Sequence, residues 1–316
     1  MIATSLRILL AWGGTLVLLV LAWTLADGPS ALARLKTLDA GWIAVGLAVS
    51  VVQVALSAAR WQLTAGRLGV PLPFGRAFRE YWLSGFVNQA LPGGVGGDLL
   101  RAWRHRHFAP LGLQTSLEQR DLLAVLRAVA VERAAGYLAL LPCAALGAWL
   151  WLPGLSGALT AAGLALAFTV FCLVPWLRPR LARVAGLGVL LHDLAQGLFA
   201  RAVLLQQIIL SALIFASYLL VFACAALAVG VTVPPILLIT GVPLVLLAMA
   251  IPISAGGWGL REVSAAGLWV MAGGTADAGL AASVAYGLTV LLSTLPGAMV
   301  LFRGAHLKIR RAEPGA

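Results

Sequence analysis

Two short strings of this chain bring glycines and ionisable side chains together. They are Pro92-Gly93-Gly94-Val95-Gly96-Gly97-Asp98 and, in the second half, Gly256-Gly257-Trp258-Gly259-Leu260-Arg261-Glu262. Each contains Gly-Gly-x-Gly, and each follows a proline, Pro92 or Pro252. Glycine admits positive φ, so successive backbone N–H groups can be aimed at one point, and a helix starting just beyond adds the positive end of its dipole. That combination is a cradle for an anion, with Arg101 and Arg261 within reach as partners for a phosphate or carboxylate. Neither string is a P-loop, because no Lys-Ser/Thr follows, and neither completes G-x-G-x-x-G. The competing use of such glycines is close helix packing and turn geometry.

The strings sit in an apolar chain. Of its 316 residues 61% are hydrophobic and 10% charged, with a mean hydropathy of +0.98. A soluble domain is usually about a quarter charged, so a soluble enzyme, a disordered scaffold and a secreted disulfide module are all excluded. The cysteines Cys143, Cys172 and Cys224 lie singly in apolar runs and suggest neither bridges nor zinc. The net charge of +11 comes from 20 arginines and 2 lysines. It calls for an anionic partner, and in so apolar a chain this is membrane lipid rather than nucleic acid.

A helix crossing the hydrocarbon needs about 20 apolar residues. Six runs qualify: Leu6–Ala26, Gly41–Ala59, Ala134–Leu152, Leu155–Trp176, Gln206–Gly230 and Gly279–Phe302. Two further apolar regions, Tyr81–Leu100 and Pro234–Gly273, are interrupted by Pro and Gly and read as broken or re-entrant segments, which survive at membrane depth only inside protein or facing water. The predicted fold is all-α, a polytopic transmembrane helical bundle of six spans plus two broken segments. A cytoplasmic N-terminus puts 18 of the 22 basic residues inside, as the positive-inside rule requires. Residues 1–152 and 155–302 then repeat the order span, span, broken segment, span from opposite sides of the membrane, which is an inverted repeat. The expected organisation is a first repeat over 1–152, a span and cytoplasmic amphipathic connection over 153–205, and the rest of the second repeat with a short basic tail over 206–316. Matching interruptions in two halves point to a transporter's binding site.

Asp98, Arg101, Glu132, Arg133, Arg261 and Glu262 are ionisable groups in or beside these segments, where each costs about 2.5–3.5 kcal/mol on insertion scales and marks function by default. Mutual pairing that only locks the fold is the alternative. Asn88 is placed to satisfy a carbonyl freed by Pro92, and Trp258 reads as an interfacial anchor. The histidines His105, His107, His192 and His306 lie in basic loops without a carboxylate cluster, so no metal, cofactor or catalytic constellation is expected. The candidate binding set is therefore Asn88, Pro92, Gly93, Gly94, Gly96, Gly97, Asp98, Arg101, Glu132, Arg133, Gly256, Gly257, Gly259, Arg261 and Glu262.

The string Asn88 to Arg101, preceded by Ala59-Arg60-Trp61 and followed by Glu132-Arg133 and by Pro252 to Glu262, resembles the lysylphosphatidylglycerol synthase transmembrane, flippase-like family along nearly the whole chain. In the namesake this region moves lipid, while a separate cytoplasmic domain transfers lysine from tRNA to phosphatidylglycerol. With Ala316 soon after the last span, the resemblance implies lipid handling without aminoacyl transfer, in the inner membrane of a bacterium with both termini cytoplasmic. The implied ligand is an anionic phospholipid or an isoprenoid- or hopanoid-type lipid. The alternatives are a non-transporting accessory or scaffold protein for a lipid- or glycolipid-modifying enzyme, and a membrane-embedded transferase using Asp98, Glu132 or Glu262.

Overall fold

The computed structural model describes residues 2–91, 95–106, 122–174, 176, 187–251 and 254–312. Helices dominate, and no strand element occurs among the described residues, because backbone in hydrocarbon must satisfy its own N–H and C=O groups. α1 (Ile2–Leu25) and α2 (Gly28–Lys36) meet at a 92° bend. Asp27 makes that bend: its φ of 49° is left-handed, and its carboxylate accepts from the Ser30 N–H at the start of α2. α3 (Ala40–Arg67) is opened by Asp39, which accepts from the Gly41 N–H at 2.7 Å. α4 (Phe74–Ala90) and α5 (Gly96–Arg106) flank the first glycine string. α6 (Leu122–Ala135) and α7 (Tyr137–Trp151) are interrupted only at Gly136, and α8 (Gly154–Cys172) follows. α9 (Leu187–Leu194) runs into a π-helical turn, Ala195–Phe199, before α10 (Leu204–Ala228). A second π turn (Leu237–Gly241) with α11 (Val242–Ala248), then α12 (Leu260–Met271), flank the second glycine string, and α13 (Ala276–Ala312) closes the bundle.

α3, the α6–α7 run, α8, α10 and α13 as far as Leu301 are each long and apolar enough to cross a membrane, and the bent α1–α2 pair is so only when its two helices are counted as one span. Described helices stand on either side of each interruption: α4 and α5 about the first, α11 and α12 about the second. The third span begins at Leu122 and not near Ala134, because Arg127, Glu132 and Arg133 lie within it. They are tolerated there because each is paired: Arg127, for example, donates to Asp193 of α9 at 2.6 Å. Of the expected connection over 153–205, residues 177–186 lie outside the described residues, as do Pro92, Gly93, Gly94 and Pro252.

Two apolar cores organise the bundle. One gathers Trp61 and Ala58 of α3, Ala77 of α4, Ala102 of α5 and Val125 of α6. The other gathers Phe222 of α10, Val245 of α11, Trp269 of α12 and Tyr286 of α13 against Ala22 and Ala26. α4 and α13 lock the cores together: the Trp82 indole N–H donates to the Ser293 carbonyl at 3.0 Å. Gly297 permits that approach, since a Cβ there would stand 2.3 Å from the Trp82 carbonyl oxygen. Gly297→Ala should therefore lower stability by about 1–3 kcal/mol, whereas Gly163→Ala on α8, where a Cβ meets nothing within 4 Å, should not. Thermal unfolding of both variants in detergent checks the contrast.

Candidate functional site

The buried charges assemble first around α6. Glu132 and Arg101 are fully buried and Arg60 nearly so. Arg60 of α3 donates through Nη2 to Glu132 Oε1 at 2.8 Å, and Arg101 of α5 donates to Oε2 at 2.8 Å. The Tyr81 hydroxyl of α4 adds a third donor to Oε1 at 3.0 Å. One carboxylate thus fixes three helices around its own. The Arg101 guanidinium lies between two rings, 4.6 Å from the Trp61 centroid and 4.5 Å from that of Tyr81, contacts that favour a cation in a desolvated site. Asp98 completes the group: Arg133 contacts its two oxygens at 2.9 and 2.8 Å, Arg101 Nε lies 3.0 Å from Oδ1, and the Ser84 hydroxyl donates to Oδ1 at 3.2 Å. Three guanidiniums face two carboxylates here, which leaves one positive charge in excess.

A second group in the other core repeats the recipe with a different balance. Arg261 and Glu262 are fully buried and paired at 2.6 Å, with Ser283 Oγ at 3.2 Å from Arg261 Nε. The guanidinium again lies against a tryptophan and a tyrosine, Trp258 at 4.5 Å and Tyr286 at 5.5 Å. Gly287 makes the room, since a Cβ there would fall 2.0 Å from Arg261 Nη2. This pair is neutral as a unit. Trp258, expected as an interfacial anchor, instead faces a buried cation.

Two N–H groups of the glycine strings are used internally, at the starts of α5 and α12. Gly97 N–H donates to Asn88 Oδ1 at 2.7 Å, and Gly259 N–H donates to Glu262 Oε2 at 2.6 Å. Asn88, expected to satisfy a carbonyl freed by Pro92, instead accepts through its side-chain oxygen from the Gly97 N–H at the start of α5. Gly97 also lets α5 lie on α4, because a Cβ there would meet the Ser84 carbonyl oxygen at 2.1 Å. Gly256, Gly257 and Gly259 have φ of 57°, 78° and 89°, a left-handed path that a side chain would strain. The two broken segments touch: a Cβ on Gly256 would stand 3.0 Å from the Gln89 carbonyl oxygen.

Where they meet, a cavity of about 500 Å³ opens between the two cores. Of the predicted residues Asn88, Asp98, Arg133, Gly256 and Gly257 line it. Arg101, Glu132, Arg261 and Glu262 stand behind its wall, with the rings of Tyr81 and Tyr286 on the cavity side, while Gly96, Gly97 and Gly259 serve helix starts. Arg133 is the one guanidinium among the lining residues, and its side chain is 43% exposed. The mouth is rimmed by the exposed lining residues Val95, Arg133, Tyr137 and Ala250. Arg133 and Tyr137 fall near the middle of the run Leu122–Trp151. Arg60, Tyr81, Tyr286, Gly287 and Ser211, whose hydroxyl accepts from Arg60 Nη1 at 3.3 Å, were not among the expected site residues. The available signal was an arginine at the end of a span with a tyrosine or glycine opposite.

A family model described as the lysylphosphatidylglycerol synthase TM region matches residues 6–297. No curated protein and no solved structure matches the chain.

Removing one partner of a buried ion pair strands the other. Glu132→Gln, which leaves Arg60 and Arg101 without their shared carboxylate, should cost about 3–5 kcal/mol. Combining it with Arg60→Gln should recover part of that loss. Melting temperatures of the single and double variants in detergent measure both, and a Glu132→Gln protein as stable as the wild type would contradict the arrangement.

Proposed function

The chain belongs to the lysylphosphatidylglycerol synthase transmembrane family, and from that premise we propose that it is a lipid transporter that binds an anionic headgroup in the cavity between its two broken segments. The family points to a role with membrane lipids, and the spans make this a multi-pass membrane protein. The observation that carries the finer reading is the surplus positive charge of the Arg60–Arg101–Arg133 group, of which Arg133 is the guanidinium that lines the cavity. An uncompensated charge at membrane depth is costly unless an anion or water answers it, and a phosphodiester accepting from the Arg133 fork does so with charge-assisted hydrogen bonds. Arg101 and Arg261 then act from behind the wall, holding it in place.

A mouth rimmed by Arg133 and Tyr137 suits a ligand whose chains stay in the bilayer while its headgroup enters. The likeness of the two arginine–tryptophan–tyrosine groups supports an inverted repeat, in which one half rocks against the other to expose the cavity to either leaflet. The inner membrane and cytoplasmic termini belong to the same reading.

The test is the lipid that purifies with the protein. Anionic phospholipid should be enriched over the bulk membrane in the wild type and fall several-fold in folded Arg133→Gln protein, with Arg133→Lys intermediate. Absence of enrichment, or enrichment indifferent to Arg133, overturns the binding site. Binding without accelerated leaflet exchange of a labelled anionic lipid in proteoliposomes would replace the transporter by a scaffold.

A further inference from the structure

The cavity wall says more about the headgroup than its charge. Beyond Arg133 it presents amides and hydroxyls, among them Gln53, Gln89, Ser254 and Thr294, together with tyrosine rings. Two of these polar groups have no hydrogen-bond partner among the described residues: the Gln89 side-chain oxygen and the Ser254 hydroxyl. Ser254 is only 2% exposed. They come from the two different broken segments, Gln89 from the end of α4 and Ser254 from the loop before α12, and both line the cavity where those segments touch. A buried polar atom without a partner is destabilising, so each asks for a ligand group that donates or accepts a hydrogen bond.

The same wall is poorly suited to an amine. Asp98 is the one carboxylate among the lining residues, and its oxygens are already held by Arg133, Arg101 and Ser84. Glu132 and Glu262 stand behind the wall, engaged with arginines. An ammonium entering the cavity would meet a group with one surplus positive charge and no free carboxylate to neutralise it. A hydroxyl carries no such penalty, and it both donates and accepts, which answers Gln89 and Ser254 alike.

We infer that the cavity selects a monoanionic lipid whose headgroup carries hydroxyls beyond the phosphate, a polyol or sugar phosphodiester, and discriminates against amine-bearing headgroups, the lysylated one included. Arg133 holds the phosphate, and Gln89 with Ser254 reads the hydroxyls. This rests on the anionic-headgroup reading above and narrows it. The ligand class it names differs from the one in the family's description.

Four lipids of matched acyl chains separate the possibilities when added to the full chain in phosphatidylcholine nanodiscs, with occupancy read by native mass spectrometry. Phosphatidylglycerol and phosphatidylethanol both carry one negative charge but differ in their hydroxyls. Phosphatidylethanolamine and lysylphosphatidylglycerol bring an amine. Phosphatidylglycerol should bind about three- to tenfold more tightly than phosphatidylethanol, the worth of one hydrogen bond, and at least tenfold more tightly than either amine lipid. Gln89→Leu with Ser254→Ala should erase the gap between the first two while leaving phosphatidylethanol unchanged. Ser254→Ala alone, an easily accommodated change, should narrow it. Equal binding of phosphatidylglycerol and phosphatidylethanol, both still dependent on Arg133, overturns the hydroxyl selectivity and leaves the anionic site standing. Lysylphosphatidylglycerol binding as well as phosphatidylglycerol overturns the discrimination against amines. If none of the four exceeds phosphatidylcholine, the anionic site itself fails.

Discussion

The architecture depends on a single carboxylate placed where a carboxylate is expensive. Glu132 is fully buried within a membrane-spanning run, and an ion there persists only if its lone pairs and its charge are answered. Arg60, Arg101 and Tyr81 answer it from α3, α5 and α4. Their convergence fixes how the first broken segment turns, because α5 must bring Arg101 back beside α6. Gly97 allows the backbone approach, Asn88 caps the new helix, and Trp61 and Tyr81 enclose the arriving guanidinium. Arg60 and Arg101 against Glu132 leave one positive charge that the Asp98–Arg133 pair does not cancel, and Arg133 is the guanidinium of the group that faces the cavity.

The second half solves the same problem more economically. Arg261 is neutralised by its neighbour in sequence, and Glu262 uses its other oxygen to cap α12. Trp258 and Tyr286 supply the rings, and Gly287 the space. A closed neutral group on one side and an open cationic one on the other give the cavity a polarity along which a headgroup can be oriented. That asymmetry distinguishes two otherwise similar groups on either side of the cavity.

Much of the bundle was legible from charge-free runs. The five long apolar helices and the bent α1–α2 pair fall on the six expected runs, since hydrocarbon tolerates few exceptions. The start of the third span was hidden because Arg127, Glu132 and Arg133 look like the end of a loop until their partners on α3, α5 and α9 are known. The glycine strings read as anion cradles, yet the N–H groups of Gly97 and Gly259 are taken by Asn88 and Glu262, whose capping geometry depends on loop paths that spacing does not encode. Arg101 and Arg261 stood out by their position after the glycines, while Arg133 is the guanidinium at the cavity. Glu132 and Arg133 are adjacent in sequence but turned by about 100° around the helix axis, so one faces the core and the other the opening. Arg60, one residue past an apolar run, gave no sign that it would reach across to α6.

The most direct test of the central claim is a cryo-EM map of the full chain in nanodiscs containing phosphatidylglycerol. The account predicts density for a phosphate within about 2.7–3.2 Å of the Arg133 guanidinium, beside Asn88 and Gly256, with acyl density leaving between Val95 and Tyr137. A map in which that cavity is free of lipid, with Arg133 bound to Asp98 alone, would contradict it.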